Sequence, residues 1–251
     1  MVEQIVVHKV SKSYSTSQEG GKKLRVLDNL SFKINKGEFV SILGPNGCGK
    51  STLLRLIAGI DAPDSGYVKV FGQEAKKIKV GYLPQNSTET LLPWLNVKEN
   101  VALSLNGASD SVMKVALSKL EEFWLKDYSS FYPYQLSGGI KQLVGIARGS
   151  AASNLLLFDE PLSGLDQSNS KLIEGAFFKL REQKTTALMV SHDIDAAILF
   201  SDTLIILSEK PARILAILPG GLSSQRNSET RYSDEFLSMR KKVAEILSKG
   251  E

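Results

Sequence analysis

Hydrophobic positions in the first part of the chain alternate in the manner of short β-strands. Leu30, Phe32 and Ile34 alternate with polar residues, and a period of two is typical of a half-buried strand. The run Phe39–Leu43 is apolar apart from one serine, which predicts a strand that is buried on both faces. Further strands are predicted at Ile5–Val10, Tyr67–Phe71 and Lys79–Leu83, a helix at Leu53–Ile60, and a polar hairpin loop at Ser17–Lys23.

The middle of the chain changes to helical spacing. Helices are predicted at Val97–Leu105 and Val112–Phe123, and the glycine-rich residues 136–139 open another helical stretch. Beyond it strands and helices alternate, which indicates a parallel sheet with helices on both faces. The alternating segments are Leu155–Phe158, Leu172–Glu182, Thr186–Val190, Ala196–Phe200, Thr203–Leu207 and Arg213–Ile217.

These elements predict an α/β fold. Its core is a mixed, mainly parallel sheet, with antiparallel strands at the N-terminus and an inserted helical subdomain. We assign residues 1–85 and 152–220 to the core and residues 86–151 to the helical subdomain. Residues 221–251 form a polar linker and a C-terminal helix, predicted at Asp234–Lys249, whose apolar residues share one face.

Composition narrows the class of protein. A hydrophobic fraction of 42% supplies a core, and 23% charged residues with a net charge of only +4 exclude a mainly disordered chain. That mild excess suits an anionic ligand but falls well short of a dedicated nucleic-acid binder. The single cysteine, Cys48, excludes an internal disulfide and a cysteine-based zinc site. No signal peptide and no apolar run long enough to span a membrane are visible, so we expect no spanning helix.

Residues 44–51 read GPNGCGKS and match the phosphate-binding pattern G-x-x-x-x-G-K-[ST]. Glycines let backbone N–H groups curl round an anion, Lys50 adds a positive charge, and the Ser51 hydroxyl can ligate Mg²⁺. The pattern follows a predicted strand and precedes a predicted helix, as this chemistry requires, and so predicts nucleotide binding. Its candidate contacts are Gly44, Pro45, Asn46, Gly47, Cys48, Gly49, Lys50, Ser51 and Thr52. A redox role for Cys48 is an alternative, because a helix N-terminus lowers a thiol pKa.

Two carboxylates, Asp159 and Glu160, end the apolar strand predicted at Leu155–Phe158. Ligands of open α/β sheets lie at this edge of a strand. Asp159 is a candidate ligand of Mg²⁺, directly or through water, and Glu160 a candidate general base for the attacking water. An acidic turn with no catalytic part is the alternative.

Residues 136–142, LSGGIKQ, resemble the signature sequence of the nucleotide-binding subunits of ABC transporters. Small residues at a helix start offer backbone N–H groups and a hydroxyl, which together make a second anion site. The resemblance implies a P-loop NTPase of the ABC type that binds ATP and Mg²⁺. It also implies nucleotide contacts from Ser137, Gly138, Gly139 and Gln142.

Other motifs of that family follow in its usual order. The resemblance implies that Tyr14 stacks on adenine, although a plain strand-end aromatic is the alternative. It implies that Gln85 contacts Mg²⁺ and senses a membrane partner, and that His192 touches the γ-phosphate. Asp166, in SGLD, matches the family's D-loop, and the resemblance implies that it too contributes to nucleotide binding. The expected catalytic residues are therefore Glu160, His192 and Gln85, and the expected metal ligands are Ser51, Gln85 and Asp159.

The resemblance also implies how such a subunit works. Two ATPase subunits, identical or homologous, pair head to tail, and Ser137 and Gly139 of one close over the ATP held by the other. A lone subunit should therefore hydrolyse ATP slowly. Movement would pass to integral membrane permease subunits through the Gln85 region and the helical subdomain. We expect a peripheral protein at the cytoplasmic face of the inner membrane, served indirectly by an external solute-binding protein and without a nucleic-acid partner.

Finer features resemble one group within the family, the importers of nitrate, sulfonates, taurine and bicarbonate. They are LLPW at residues 91–94, LSEKPARI at 207–214 and YSDEFL at 232–237. This group implies uptake of a small anion. An exporter or lipid-trafficking ATPase, a soluble ABC ATPase acting on nucleic acid or ribosomes, and a non-hydrolysing regulator are the alternatives. The sequence does not identify the solute, because an ATPase subunit does not touch it.

Overall fold

The structure is a computed structural model that describes residues 3–15, 23–86, 90–106, 109–222 and 226–250. The chain divides into two compact units, one of residues 1–78 and 184–251 and the other of residues 79–183. The predicted subdivision, with a helical subdomain at 86–151, is finer than this and stays a prediction. The hairpin loop predicted at Ser17–Lys23 lies outside the described residues except for Lys23.

The elements agree closely in kind and order with the prediction. The strands are β1 (Glu3–Ser15), β2 (Lys23–Asn35), β3 (Phe39–Leu43), β4 (Ser65–Val70), β5 (Gln73–Glu74), β6 (Gly81–Leu83), β7 (Leu155–Asp159), β8 (Thr186–Ser191), β9 (Thr203–Leu207) and β10 (Ile214–Pro219). The helices are α1 (Lys50–Ile57), α2 (Val97–Ala102), α3 (Ser109–Glu122), α4 (Gly138–Ala152), α5 (Gln167–Glu182), α6 (Ile194–Phe200) and α7 (Asp234–Lys249).

The first unit contains an antiparallel sheet in the order β2-β1-β4-β5. Val7 lies opposite Phe32 in the β1–β2 pair, and both side chains are buried. The β1 strand is longer than its apolar run predicts, because pairing with β2 continues to Ser15, opposite Lys23.

The same unit contains four strands in the order β10-β9-β3-β8. All residues of β3 and β8 are buried, which confirms the predicted burial of Phe39–Leu43 on both faces. These two strands are parallel, with Leu43 beside Ser191 at their carboxyl ends. The β10 strand runs antiparallel to β9, so the sheet is mixed. The C-terminal helix α7 has the predicted bounds and buries Phe236 and Val243.

In the second unit β6 and β7 are parallel neighbours, and α4 passes close to β6. A Cβ on Gly81 would lie 2.9 Å from the carbonyl oxygen of Gly149, so this approach needs glycine. The α5 helix begins at Gln167, earlier than the predicted Leu172, because the Asp166 carboxylate accepts the backbone N–H of Asn169 and caps the helix. No helix within the described ranges has both the length and the apolar character needed to cross a bilayer.

Candidate functional site

The glycine-rich loop between β3 and α1 is shaped by contacts that exclude larger residues. Gly49 has φ of 122°, and a Cβ there would lie 2.7 Å from Cγ1 of Val26 and 2.8 Å from Cδ2 of Leu27. Gly47 has φ of 75°, also in the region that favours glycine. The loop therefore curls tightly, with Asn46 and Gly47 exposed at its tip.

Lys50 begins α1 with its side chain buried beneath this loop. Its Nζ donates to the carbonyl oxygens of Gly44 at 2.8 Å and Pro45 at 3.1 Å. Among the described residues no side chain caps α1 at Gly49, and the first N–H groups of a helix find no acceptor within the helix itself. A buried ammonium beside uncapped N–H groups is an electropositive cradle suited to phosphate oxygens. Ser51 is exposed and Thr52 buried in the same turn.

Cys48 is buried inside the loop. Burial raises the pKa of its thiol above the ordinary 9.0, and the nearby Lys50 ammonium opposes this shift only in part. The expectation that the helix N-terminus would lower this pKa is therefore wrong, because desolvation outweighs it. A neutral, buried thiol lines the loop and gives no support to a redox role.

Tyr14 is half-buried near the end of β1 and is fixed through its hydroxyl. The hydroxyl donates to Oδ2 of Asp61 at 2.7 Å and accepts from Nη2 of Arg55 at 3.4 Å. Lys12 donates to Oδ1 of Asp61 at 2.9 Å, and this hydrogen bond is the main cause that lowers the pKa of Asp61 to about 2. The hydrogen bond from Arg55 thereby links the Tyr14 side chain to α1. Asp61 lies outside all the motifs recognised in the sequence.

His192 follows β8 and precedes α6 in the same unit as the loop. Since Leu43 and Ser191 are neighbours in the parallel sheet, the loop after β3 and His192 leave the sheet side by side. Asp193 fixes the connection: its N–H donates to Oγ of Ser191 at 2.9 Å, and its carboxylate caps α6 at the N–H of Ala196. The His192 side chain is exposed at this edge.

Asp159 and Glu160 lie at the end of β7 in the second unit. The parallel partner β6 ends at Leu83, opposite Phe158, so Gln85 leaves the sheet at the same edge as the two carboxylates. Asp159 is 5% exposed. Glu160 has φ of 49°, which costs a non-glycine residue about 1–3 kcal/mol and turns the chain sharply after the strand. Such backbone strain is common at catalytic positions.

Ser137 caps α4, accepting the N–H of Ile140 at 3.4 Å. Gly138 has open space around it, whereas a Cβ on Gly139 would overlap the side chain of Asn169. Asn169 is oriented by Asp166, whose carboxylate accepts its backbone N–H at 2.9 Å and its side-chain amide at 2.7 Å. The structure thus connects Asp166 to the signature glycines through Asn169, a residue that the motifs did not single out.

Gln142, also expected to contact nucleotide, is buried in α4. Its side-chain amide donates to the carbonyl oxygen of Pro161, immediately after Glu160. This contact supports the turn that carries the Glu160 carboxylate. The Gln142 side chain therefore contacts the segment that follows β7 and not the exposed start of α4.

Trp94 lies in a turn that several hydrogen bonds support, and it is 69% exposed. The fully buried Asn100 holds the turn, accepting the N–H of Leu92 at 2.8 Å and donating to the carbonyl oxygen of Leu95 at 2.9 Å. Arg148 in α4 donates to both oxygens of Thr90, at 2.8 and 2.7 Å. Burial lowers the pKa of Arg148. An exposed tryptophan on so well-supported a turn is suited to contact another protein.

Comparison with known proteins decides the family. A family model described as "ABC transporter" matches residues 27–163, more than half of the chain. The chain belongs to the ABC transporter family. It is an ATP-binding subunit of this family and, like its homologues, an ATPase.

Curated relatives of this ABC subunit match nearly its whole length. "Aliphatic sulfonates import ATP-binding protein SsuB" of Bacillus cereus (strain ATCC 10987 / NRS 248) is 36% identical over 245 residues, covering 96% of this chain and 94% of the relative. The protein of the same name from Bacillus subtilis (strain 168) is 37% identical over 235 residues, covering 92% and 90%.

Solved structures show the same fold. The structure described as a dimeric post-hydrolysis state of the ATP-binding cassette MJ0796 bound to ADP and Pi has a TM-score of 0.72 and 30% identity, covering 86% of this chain and 98% of that one. A second dimeric structure of MJ0796 has a TM-score of 0.73 and 31% identity over the same shares. The predicted ABC-type fold is therefore confirmed.

Proposed function

We propose that this ABC ATPase powers uptake of a small anion, with sulfonates as the first class to test, through a membrane permease. The observation that carries the proposal is similarity over 96% of the chain to a relative named for aliphatic sulfonate import. The exposed Trp94, in the LLPW segment of that importer group, supports it.

ATP would be bound by the residues of the first unit. The loop N–H groups and Lys50 hold the β- and γ-phosphates, and the ammonium exchanges its carbonyl partners Gly44 and Pro45 for phosphate oxygens. Tyr14, fixed by Asp61, stacks on the adenine. His192, beside the loop at the sheet edge, contacts the γ-phosphate.

Hydrolysis would use the carboxylates at the end of β7. Glu160, which directly follows β7, accepts a proton from the attacking water as general base, and Gln85 helps to place that water. Gln142 holds the Glu160 turn through Pro161. The charge that develops on the γ-phosphate is stabilised by Lys50 and His192.

Mg²⁺ fits the donor set available here. Ser51, Gln85 and Asp159 offer a hydroxyl, an amide and a carboxylate oxygen, the hard ligands this cation prefers. Across the described part of the chain no three His, Cys, Asp or Glu side chains cluster as a metal site. Mg²⁺ at nucleotide sites is generally held by few protein ligands together with substrate phosphates. When bound, it would neutralise the charge on the β- and γ-oxygens.

Two ATPase subunits would form the working unit. Ser137, Gly138 and Gly139, at the start of α4, present a hydroxyl and backbone N–H groups for the γ-phosphate of a nucleotide held by the other subunit. Asp166 and Asn169 keep these glycines in place. Membrane permease subunits would dock near Trp94, and the chain would then lie at the cytoplasmic face of the membrane, with an external solute-binding protein as an indirect partner.

The test is the oligomeric state of Glu160→Gln, measured by light scattering after gel filtration. Removing the base preserves ATP binding, so the variant should form a stable dimer with ATP and Mg²⁺ but not with ADP. Lys50→Ala, which loses the phosphate contact, should stay monomeric. Glu160→Gln that hydrolyses ATP at the wild-type rate would overturn the assigned base. If it retains ATP as a monomer, either the partner ATPase is a different chain or the proposed head-to-tail pairing is wrong.

A further inference from the structure

The C-terminal segment, residues 226–250, forms hydrogen bonds with both ends of α6. This helix begins at Ile194, directly after His192 and its neighbour Asp193. A helix this short does not persist without tertiary support, because few hydrogen bonds offset the entropy of ordering it. What supports α6 therefore also fixes the backbone that carries His192.

Arg226 closes the carboxyl end of α6. Its side chain is 3% exposed, and its guanidinium donates to the carbonyl oxygens of Ser201 at 2.6 Å, Leu199 at 3.3 Å and Ile198 at 3.4 Å. The last carbonyls of a helix have no partner within the helix and carry partial negative charge. The buried Nη1 group of Arg226 makes all three contacts and so satisfies these carbonyls together.

The same arginine reaches the strand that leads to the phosphate loop. Arg226 lies 3.7 Å from the carboxylate of Asp202. Asp202 pairs with Phe39, the first residue of β3, through the Phe39 N–H at 3.0 Å and the Phe39 carbonyl at 2.7 Å. The carboxyl end of α6 is thus tied to the origin of β3.

The amino end of α6 is held by α7. Arg240 donates through Nε to Oδ1 of Asp195 at 2.6 Å, and Asp195 lies in the first turn of α6. The α7 helix packs against α6 and buries Phe236 and Val243. Contacts from one segment therefore fix α6 at both ends and along its length.

We propose that residues 226–250 form a clamp on α6 that positions His192 for ATP hydrolysis, with Arg226 and Arg240 as positioning residues. The proposal rests on the proposed role of His192 at the γ-phosphate. Weakening the clamp lets α6 shift and moves the imidazole. The phosphate loop stays in place, because it lies at the opposite end of β3 and is held there by the Lys50 hydrogen bonds to Gly44 and Pro45. The turnover number should fall and ATP binding should not.

The experiment measures kcat and KM for ATP in the full-length chain. Arg226→Met should lower kcat about tenfold with KM within about twofold of wild type, and Arg226→Lys should recover part of the loss. Arg240→Gln and Asp195→Asn, at exposed positions, should each lower kcat about two- to threefold, and together no more than either alone. Lys242→Gln removes a charge from the same helix and should leave both constants unchanged.

A double-mutant cycle with His192→Ala decides whether the clamp acts through the histidine. In the His192→Ala background Arg226→Met should change kcat by less than about twofold. A full tenfold loss there, or a loss that appears only in KM, overturns the clamp and leaves the proposed function standing. Wild-type turnover in His192→Ala itself overturns the role of the histidine, and the clamp with it. If Arg226→Met does not unfold cooperatively, the variant is not properly folded. The double-mutant cycle with His192→Ala is then made with Arg240→Gln, which removes the exposed ion pair with Asp195.

Discussion

Arg213 holds the carboxylate of Asp28 through two nitrogens, Nε at 2.7 Å and Nη2 at 2.5 Å. The carboxylate is 8% exposed and also meets Arg25 at 2.6 Å. Beside this pair, Ala212 exchanges backbone hydrogen bonds with the β2 strand, donating to Val26 and accepting from Asp28. Since Val26 also packs against Gly49, the segment LSEKPARI that resembles an importer motif braces the strand beneath the phosphate loop.

The first prediction concerns this brace. Arg213→Gln should raise KM for ATP about three- to tenfold with a smaller change in kcat, because the loop loses support and holds phosphate less well. Equilibrium binding of ATP checks it. Lys33→Gln breaks another ion pair of the same sheet, Lys33 with Glu3, and should leave binding unchanged. Equal effects of the two variants would show that the brace has no special link to the loop.

The second prediction concerns the close approach at Gly49. Gly49→Ala should abolish measurable ATP binding, because its Cβ would collide with Val26 and Leu27 and the backbone would be strained. Gly72 shares the positive φ, at 76°, but has open space around its Cβ position. Gly72→Ala should cost about 1 kcal/mol of stability in urea unfolding and keep ATP affinity. Tight ATP binding by Gly49→Ala would contradict the packing account.

The third prediction concerns Cys48. Its thiol is buried and its pKa is raised, so alkylation by iodoacetamide at neutral pH should be at least about a hundredfold slower in the native chain than in the unfolded chain. In a Cys48→Ser background, Lys36→Cys places a thiol on an exposed turn and should react rapidly in the native state. Similar native rates for the two thiols would show that Cys48 is accessible.

The fourth prediction concerns pH. Since Lys12 and Tyr14 lower the pKa of Asp61 from an ordinary 3.8 to about 2, the ionised carboxylate stabilises the folded state above about pH 4. That stabilisation should disappear as the pH falls from about 4 to about 2. Asp61→Asn should therefore be less stable than wild type at pH 6, with the difference shrinking through this range. A difference in urea midpoint that does not depend on pH would contradict the assignment.

The sequence predicted the bounds of an element well where a turn or capping residue coincides with a change of periodicity. The β3 strand is bounded by glycines at 37 and 44, and α7 begins after the Ser233 cap, so both elements have the predicted bounds. The α1 helix begins earlier than predicted, at Lys50, because its first turn is polar and glycine-rich and carries no apolar period.

The contacts that support the candidate site could not be predicted from the sequence, because they join residues that are far apart in the chain. Asp28 with Arg213, and Arg226 with the end of α6, are set by the tertiary fold and leave no periodic trace. Asn169 is ordinary in the sequence, and only the packing of Gly139 against it gives it a role. Motif spacing predicts which residues carry the chemistry, and long-range packing determines how these residues are held.

The most direct test of an ATPase that drives a transporter is phosphate release by the complex that the tagged chain forms in its host's membranes. We predict that a multi-span membrane protein co-purifies in mild detergent and that the complex hydrolyses ATP. The same complex prepared with Glu160→Gln should retain the membrane protein and lose hydrolysis. Co-purification of soluble proteins or nucleic acid without any multi-span protein would contradict the transport function, and undiminished hydrolysis with Glu160→Gln would contradict the catalytic assignment.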